Sequence, residues 1–311
     1  MRAFIFPGQG SQMVGMGMVL AESSPVARAL FAEVDDALDQ KLFELMSEGP
    51  DEALLLTENA QPAIMANAIA TLRTFEEMSG HRLSDKADFV AGHSLGEYTA
   101  LCAAGAFDVA TTARLLKLRG RSMQAAVPVG QGAMAALLGA DVVKAQAIAQ
   151  AAAQGEICTV ANDNDPNQVV ISGNLGAIER ALDLAEEMGA KRAVLLPVSA
   201  PFHCSLMAPA AEAMDKALAQ VDILAPAVPL YANVTAAPVS DPADIGRLLV
   251  EQVTGMVRWR ESVLAMSAAG VDHFVEFGGK VLGGMVRRIV PGVRMTSVMS
   301  IDDIEALAKE I

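Results

Sequence analysis

Residues 88–107 read DFVAGHSLGEYTALCAAGAF. Phe89 to Ala91 has the apolar character of a buried strand, and the residues after Leu95 are strongly helical. Between them, Gly92-His93-Ser94-Leu95-Gly96 matches G-x-S-x-G. Strand, sharp turn and helix in that order are the setting of a nucleophile elbow, where a strained turn lifts a serine hydroxyl clear of the sheet. The flanking glycines let backbone pass where a Cβ would collide.

The rest of the chain agrees with that class. Short β-rich runs alternate with long alanine- and leucine-rich helical patterns, the signature of an α/β protein with a mainly parallel sheet. One segment has a different rhythm. GAMAALLG (132–139) reads as strand, DVVKAQAIAQAAAQ (141–154) as helix and ICTVAN (157–162) as strand. After the turn-rich DNDPN (163–167) come QVVISG (168–173) as strand, NLGAIERALDLAEEMG (174–189) as helix and KRAVLLPVSA (191–200) as strand. That is βαββαβ, the ferredoxin-like order. It predicts a small subdomain over 127–198, inserted into a larger α/β domain made of 1–126 and 199–311. Clefts between domains are favoured places for ligand sites.

With 311 residues, 52% hydrophobic and 19% charged, the chain has ample material for a large core. Its apolar stretches, such as AIMANAIA (63–70), fall short of the ~18 residues a membrane span requires. No signal peptide is visible, so a cytoplasmic protein without membrane association is expected. The three cysteines, Cys102, Cys158 and Cys204, form no C-x-x-C pair, which argues against a disulfide framework and against a metal site. A formal net charge of -14 with 4% aromatic residues offers neither the electrostatic footprint nor the stacking platforms of a nucleic-acid binder. An acidic partner would need a local basic patch.

A serine hydroxyl is a poor nucleophile at neutral pH and needs a base within hydrogen-bond reach. The chain has four histidines. His81 lies in the polar stretch SGHRLSDK, His93 is adjacent to the serine and points elsewhere at an elbow, and His273 sits in the strand-like VDHFVEFG. His203 remains, in SAPFHCSLM, after an apolar strand and before a helix, where α/β proteins place working residues. Cys204 beside it is a rival thiol nucleophile, but a buried, inert cysteine is the more economical reading.

The opening stretch MRAFIFPGQGSQMVGMG then acquires a purpose. As a dinucleotide fingerprint it fails, because Met13 stands where G-x-G-x-x-G needs its third glycine. As a turn after the first strand, Gly8-Gln9-Gly10 can present one N–H to an oxyanion, with the N–H of Leu95 as the other. Arg119 is the last singular residue. In TTARLLKLRGRSMQ, helical spacing puts Arg114, Lys117 and Arg121 on one solvated face, whereas Arg119 projects between Leu115 and Met123 on the apolar side. A guanidinium there needs an anionic partner, either a buried structural acid or a substrate carboxylate held bidentately.

Taken in order, FPGQGSQ, ENAQPA around Gln61, GHSLGEY, LRGRSMQ, GAMAALLG, VANDNDPNQVVISG, PFHCSLM, LYANVTA and EFGGKVLGGMVRRI resemble the malonyl-CoA:acyl-carrier-protein transacylases of fatty-acid synthesis. The resemblance covers nearly the whole chain. It implies an α/β-hydrolase-like core with a ferredoxin-like insert, and transfer of a malonyl group from coenzyme A to the phosphopantetheine thiol of acyl carrier protein, without a cofactor. Ser94 would be the acylated nucleophile, His203 its base, Arg119 the grip on the malonyl carboxylate, and the N–H groups of Gln9 and Leu95 the oxyanion hole. The histidine would be oriented by a backbone carbonyl near Arg258 in MVRWRES. Phe202, Met123 and Asn162 would line the acyl pocket, and Phe202 with Leu95 fits a preference for malonyl over branched units. EFGGKVL is one residue shorter than the family's usual form. Since the carrier is acidic, docking is expected at Lys191-Arg192, with Arg287-Arg288 second, and the enzyme is expected to act as a monomer.

Three other readings use the same residues. A serine thioesterase or esterase would deliver the acyl group to water, but the placement of Arg119 and the lack of an evident triad acid argue against it. A non-catalytic carrier-binding module would have no reason to set Ser94 in an elbow. A transacylase subunit of a malonate decarboxylase is a nearer relative.

Overall fold

The computed structural model describes residues 1–311. Its strands are β1 (Arg2–Phe6), β2 (Phe89–Gly92), β3 (Gly132–Leu138), β4 (Cys158–Asp165), β5 (Gln168–Asn174), β6 (Arg192–Leu195), β7 (Leu230–Ala232), β8 (Ala237–Val239), β9 (His273–Phe277) and β10 (Arg294–Val298). They form a six-stranded sheet in the order β10-β9-β1-β2-β7-β8 and a four-stranded sheet in the order β4-β5-β3-β6. In the larger sheet every pairing is parallel except β7 with β8. The central strands RAFIF and FVAG are buried almost throughout, because helices cover both faces of a parallel sheet and leave no polar side. On one face Phe4 packs against Phe277 with ring centroids 4.9 Å apart, and Phe75 of the helix Thr57–Ser79 closes the cluster at 6.4 Å from Phe4.

β1 and β2 pair in register from Ala3 with Phe89 to Phe6 with Gly92. Both chains therefore leave the sheet side by side, at the carboxyl ends of the strands where open α/β sheets build their sites. Helix packing brings further groups there. Gly120, in the helix Val109–Ala125, lies so close to the start of Thr57–Ser79 that a Cβ would sit 2.6 Å from the Glu58 Cα and from the Thr57 carbonyl. Glycine at that crossing is what allows Arg119 to reach Gln61.

The smaller sheet carries the helices Val142–Ala153 and Leu175–Ala185 over a core of small residues, Ala133, Ala135, Ala145, Ala149, Ala177 and Ala181 among them. Its neighbours are all antiparallel, and its order is second-third-first-fourth along βαββαβ, as in ferredoxin-like folds.

Two boundaries differ from expectation. β4 runs on to Asp165, through residues whose composition reads as turn, and only Pro166 and Asn167 turn the chain. The cause is tertiary: Asp163 and Asp165 are buried against Arg260 and Arg288 of the larger unit, each at 2.8 Å, so charged residues occupy an inner face. β6 stops at Leu195 instead of continuing to residue 200. Pro197 has no N–H to extend the ladder. The shortened EFGGKVL turn is held by Glu276, whose carboxylate accepts from the N–H groups of Val281, Leu282 and Gly283 at the start of the helix Leu282–Ile289.

Candidate active site

Ser94 sits between β2 and the helix Leu95–Ala103 with φ 54° and ψ −109°, a conformation that costs a non-glycine residue on the order of 1–3 kcal/mol. A Cβ on Gly92 would overlap the Gly96 carbonyl, and one on Gly96 would overlap the Phe6 carbonyl, so both glycines are steric requirements of the turn. At the turn the Ser94 carbonyl accepts from the Glu97 N–H at 3.0 Å, and two buried side chains also hold the peptide groups of Ser94. Its N–H donates to Asn233 Oδ1 at 2.8 Å, and its carbonyl accepts from Gln252 Nε2 at 2.9 Å. Asn233 follows β7 directly, and its Nδ2 also donates to the Gly92 carbonyl at 2.7 Å.

His203 has φ 59° in the loop between β6 and the helix Ala208–Leu218. Its Nε2 lies 2.8 Å from Ser94 Oγ, and its Nδ1 lies 2.9 Å from the Gln252 carbonyl. A carbonyl only accepts, so Nδ1 carries the proton and Nε2 is left to accept from the serine hydroxyl. Burial, reinforced by the charge of Arg119, lowers the imidazole to about 3. The ring is neutral at physiological pH, as a base must be before it acts. The orienting carbonyl is thus that of Gln252, in the helix Pro242–Thr254, and not one near Arg258, whose own carbonyl accepts from Ser262. The helix ends before Arg258 and its last turn, rather than the segment after it, faces the imidazole.

Arg119 is 1% exposed. Its Nη1 donates to Gln61 Oε1 at 2.9 Å, and its Nη2 donates to Gln252 Oε1 at 2.8 Å and to Ser94 Oγ at 3.1 Å. These partners are neutral, and the Tyr98 ring lies 5.7 Å beneath the guanidinium carbon. The alternative of a buried structural ion pair is therefore not what forms. Lys117, by contrast, leaves the solvated stripe and reaches Glu58 at 3.2 Å.

The glycine-rich loop after β1 lies against the elbow: a Cβ on Gly8 would come within 2.7 Å of the His93 carbonyl. The N–H groups of Gln9 and Leu95 are used by no backbone or side-chain acceptor of the protein. Phe202 and Met123 are buried beside this arrangement, with Gln61 Nε2 at 3.8 Å from the Met123 sulfur. Asn162 lies at an irregularity of β4 and pairs through its backbone with Val257. It is Asn164, two residues on, whose Oδ1 meets His93 Nε2 at 2.8 Å, tying the small sheet to the elbow.

The remaining candidates lie apart. His273 bonds Arg2 and Thr296. The Cys204 thiol donates to the Pro201 carbonyl at 3.2 Å and burial pushes its pKa up, so it is no match for Ser94. Lys191 and Arg192 are exposed at the start of β6. Arg288 is paired with Asp165 and Arg287 donates to the Met295 carbonyl, yet Lys191 and Arg288 line one cleft of about 430 Å³ with Asn167 and Gln168. A cavity of about 1040 Å³ lined by Arg73, Phe107, Asp108, Arg114, Leu118 and Val221 contains none of the residues around Ser94.

Gln61, Glu97, Asn164, Asn233 and Gln252 surround this arrangement, and sequence named only Gln61 among them, without a role. Gln252 and Gln61 carry the same signal as Arg119, a polar residue on the buried face of a helix. Asn233 carries another, a polar residue at the carboxyl end of a buried strand.

Residues 3–279 match the acyl transferase domain family. The chain is 45% identical over 305 residues to a malonyl CoA-acyl carrier protein transacylase of Bacillus subtilis, covering 97% of this chain and 95% of that one. It superposes on the crystal structure of an acyl-carrier-protein S-malonyltransferase of Bartonella henselae with a TM-score of 0.97 and 53% identity, over 99% of this chain and 98% of the other. A malonyl-transacylase solved in complex with a type II PKS acyl-carrier protein matches with a TM-score of 0.96 and 39% identity, over 100% of this chain and 99% of that one.

Proposed function

The chain belongs to the malonyl CoA–acyl carrier protein transacylases of the acyl transferase family, and from that premise we propose that Ser94, His203 and Arg119 carry the reaction. The enzyme moves a malonyl group from coenzyme A to acyl carrier protein and so supplies fatty-acid synthesis. Ser94 Oγ attacks the thioester carbonyl while His203 Nε2 takes its proton, and the N–H groups of Gln9 and Leu95 receive the oxyanion. Collapse expels the coenzyme A sulfur, which recovers the proton from His203, and leaves a malonyl-serine ester. The phosphopantetheine thiol of the carrier then gives its proton to His203 and attacks the ester, and the departing Ser94 Oγ recovers that proton from His203. The two half-reactions are near-reversals, so one serine and one base serve both.

The observation that carries this reading is Arg119: a buried guanidinium with neutral partners, donating to the nucleophile's own oxygen. It is an unneutralised charge positioned to take the malonyl carboxylate as a fork. A thioesterase acting on uncharged chains has no use for it. Losing one partner of a desolvated charge pair costs on the order of 2–5 kcal/mol, or roughly 30-fold to several thousand-fold in rate. Arg119→Ala is expected to lose malonyl transfer by such a factor while acetyl-CoA turnover falls far less. Arg119→Lys is expected to be poor as well, because a point charge does not reproduce the fork. Equal losses with malonyl-CoA and acetyl-CoA would reduce Arg119 to a structural role.

For the carrier, the reading places docking at Lys191 and Arg192, with the cleft shared by Lys191 and Arg288 beside them. Rim charges act mainly on association rate and its salt dependence. Reversing both charges is expected to slow transfer to the carrier by about tenfold or more, with malonylation by coenzyme A unchanged. An equal loss in both steps would move the docking site elsewhere. We further take 127–198 as the small subdomain and the enzyme as a cytoplasmic monomer. No helix is long and apolar enough to cross a membrane.

A further inference from the structure

Glu97 stands one helical turn after Ser94 and is fully buried, yet it faces no cation at ion-pair distance. Its Oε2 accepts from Gln252 Nε2 at 2.8 Å and from the Asn233 N–H at 3.1 Å, while its Oε1 has no partner. Those two neighbours are the residues that hold the reacting groups. Asn233 takes the N–H of Ser94 and the carbonyl of Gly92. Gln252 takes the carbonyl of Ser94, presents its Oε1 to Arg119 and presents its backbone carbonyl to His203.

The amide of Gln252 has a donor end and an acceptor end, and only one orientation works. With Nε2 turned toward the Glu97 carboxyl and the Ser94 carbonyl, Oε1 must face the guanidinium. Reversed, it would set donor against donor at Arg119 and acceptor against acceptor at Glu97. One oxygen of Glu97 therefore anchors the Gln252 side chain and the Asn233 backbone, the two residues that brace the strained serine, and through Gln252 it reaches the base and the carboxylate fork. Burial raises the Glu97 carboxyl to about 7. A proton taken up there belongs on Oε1, so Oε2 accepts in either state.

We propose that Glu97 is a positioning residue for malonyl transfer: its Oε2 fixes Gln252 and Asn233 so that Ser94, His203 and Arg119 converge. This rests on the roles given above to those three residues. It goes beyond them in assigning work to a side chain that touches no substrate.

The test compares an acceptor-preserving change with an acceptor-removing one of similar size, each checked for folding by thermal melting. Glu97→Gln keeps an oxygen at the Oε2 position and is expected to stay within about threefold of wild type, with an unchanged malonyl-to-acetyl preference. Glu97→Met removes the acceptor and is expected to lose about 10- to 100-fold in kcat with malonyl-CoA, with the malonyl-to-acetyl ratio falling toward one. A residue that merely fills space would leave that ratio alone. Wild-type rate and ratio in folded Glu97→Met would overturn the proposal, as would equal losses in Glu97→Gln and Glu97→Met. Should Glu97→Met not fold, Glu97→Asp, which draws the carboxyl back by one methylene, must show the fall in ratio, and a wild-type ratio there sinks the idea. The wild-type adduct is mapped in the same experiment. Malonyl on a residue other than Ser94 would defeat the underlying assignment, whereas malonyl on Ser94 with an indifferent Glu97→Met would defeat only the role of Glu97.

Discussion

Ser94→Ala is expected to form no malonyl adduct in intact-mass spectra after mixing with malonyl-CoA, and to lose transfer by on the order of 10⁶-fold, the scale seen when a serine nucleophile is removed from a hydrolytic site. The loss is large because no other group is placed to take over. The Cys204 thiol is bonded to the Pro201 carbonyl and pushed up by burial, and Cys102 is raised to about 11. Water replacing the hydroxyl would lack the covalent tether that divides the transfer into two steps. An adduct that persists in Ser94→Ala and maps to Cys204 would sink the assignment.

Removal of the base should be nearly as damaging and should act on both halves of the cycle. His203→Ala is expected to slow malonylation by coenzyme A and release to the carrier alike, each by ~10²–10⁴-fold, the usual worth of general acid–base help. His93→Ala should be mild by comparison, since that ring is spent on Asn164 and on packing against Trp259. Acidity provides a second check. The ordinary histidine takes a proton near 6.5, whereas His203 is held down to about 3. Lowering the pH from 7.5 to about 5.5 should therefore leave kcat/KM of the free enzyme unchanged on account of this residue. An inflection near 6.5 that persists in Glu97→Gln would show that His203 is not kept neutral. The same shift links to stability: the unfolded chain protonates His203 near 6.5 and the folded one does not, so this residue's contribution is present above 6.5 and erodes as pH falls toward 3.

The elbow, the parallel sheet and the βαββαβ insert were legible because each rests on local pattern. G-x-S-x-G needs only a strand before it and a helix after it, and the insert's alternation of strands and helices is written into its apolar periodicity. Arg119 was legible because a charge on an apolar helix face violates that periodicity. Gln252 and Asn233 were not, since an uncharged amide on a buried face breaks the pattern less loudly, and what they do depends on partners far along the chain. The histidine's orienting carbonyl was misplaced for the same reason. A backbone oxygen carries no sequence signal, and only the packing of the helix Pro242–Thr254 against the loop of His203 reveals which one serves. The acidic run after Ala161 misled in the opposite sense, reading as a turn until the arginines that bury it are seen.

In the small sheet the first and last strands are neighbours, with Ala135 opposite Leu195, and just outside it the Gln124 side chain spans to the Ser199 carbonyl at 3.3 Å. The segment thus departs from the larger unit and returns to it at nearly one point. For the larger unit it is a surface loop whose ends already meet, and lengthening such a loop is cheap, each doubling adding only ~0.6 kcal/mol of closure entropy. That geometry makes the insert a cassette in evolutionary terms, open to replacement as a block. Ser94, His203 and Arg119 all lie outside it, while Lys191, Arg192 and the Asn164 contact to the elbow travel with it. A lineage, or an engineer, exchanging this block between relatives would replace the exposed Lys191 and Arg192 together with Asn162 and Asn164, and leave Ser94, His203 and Arg119 in place.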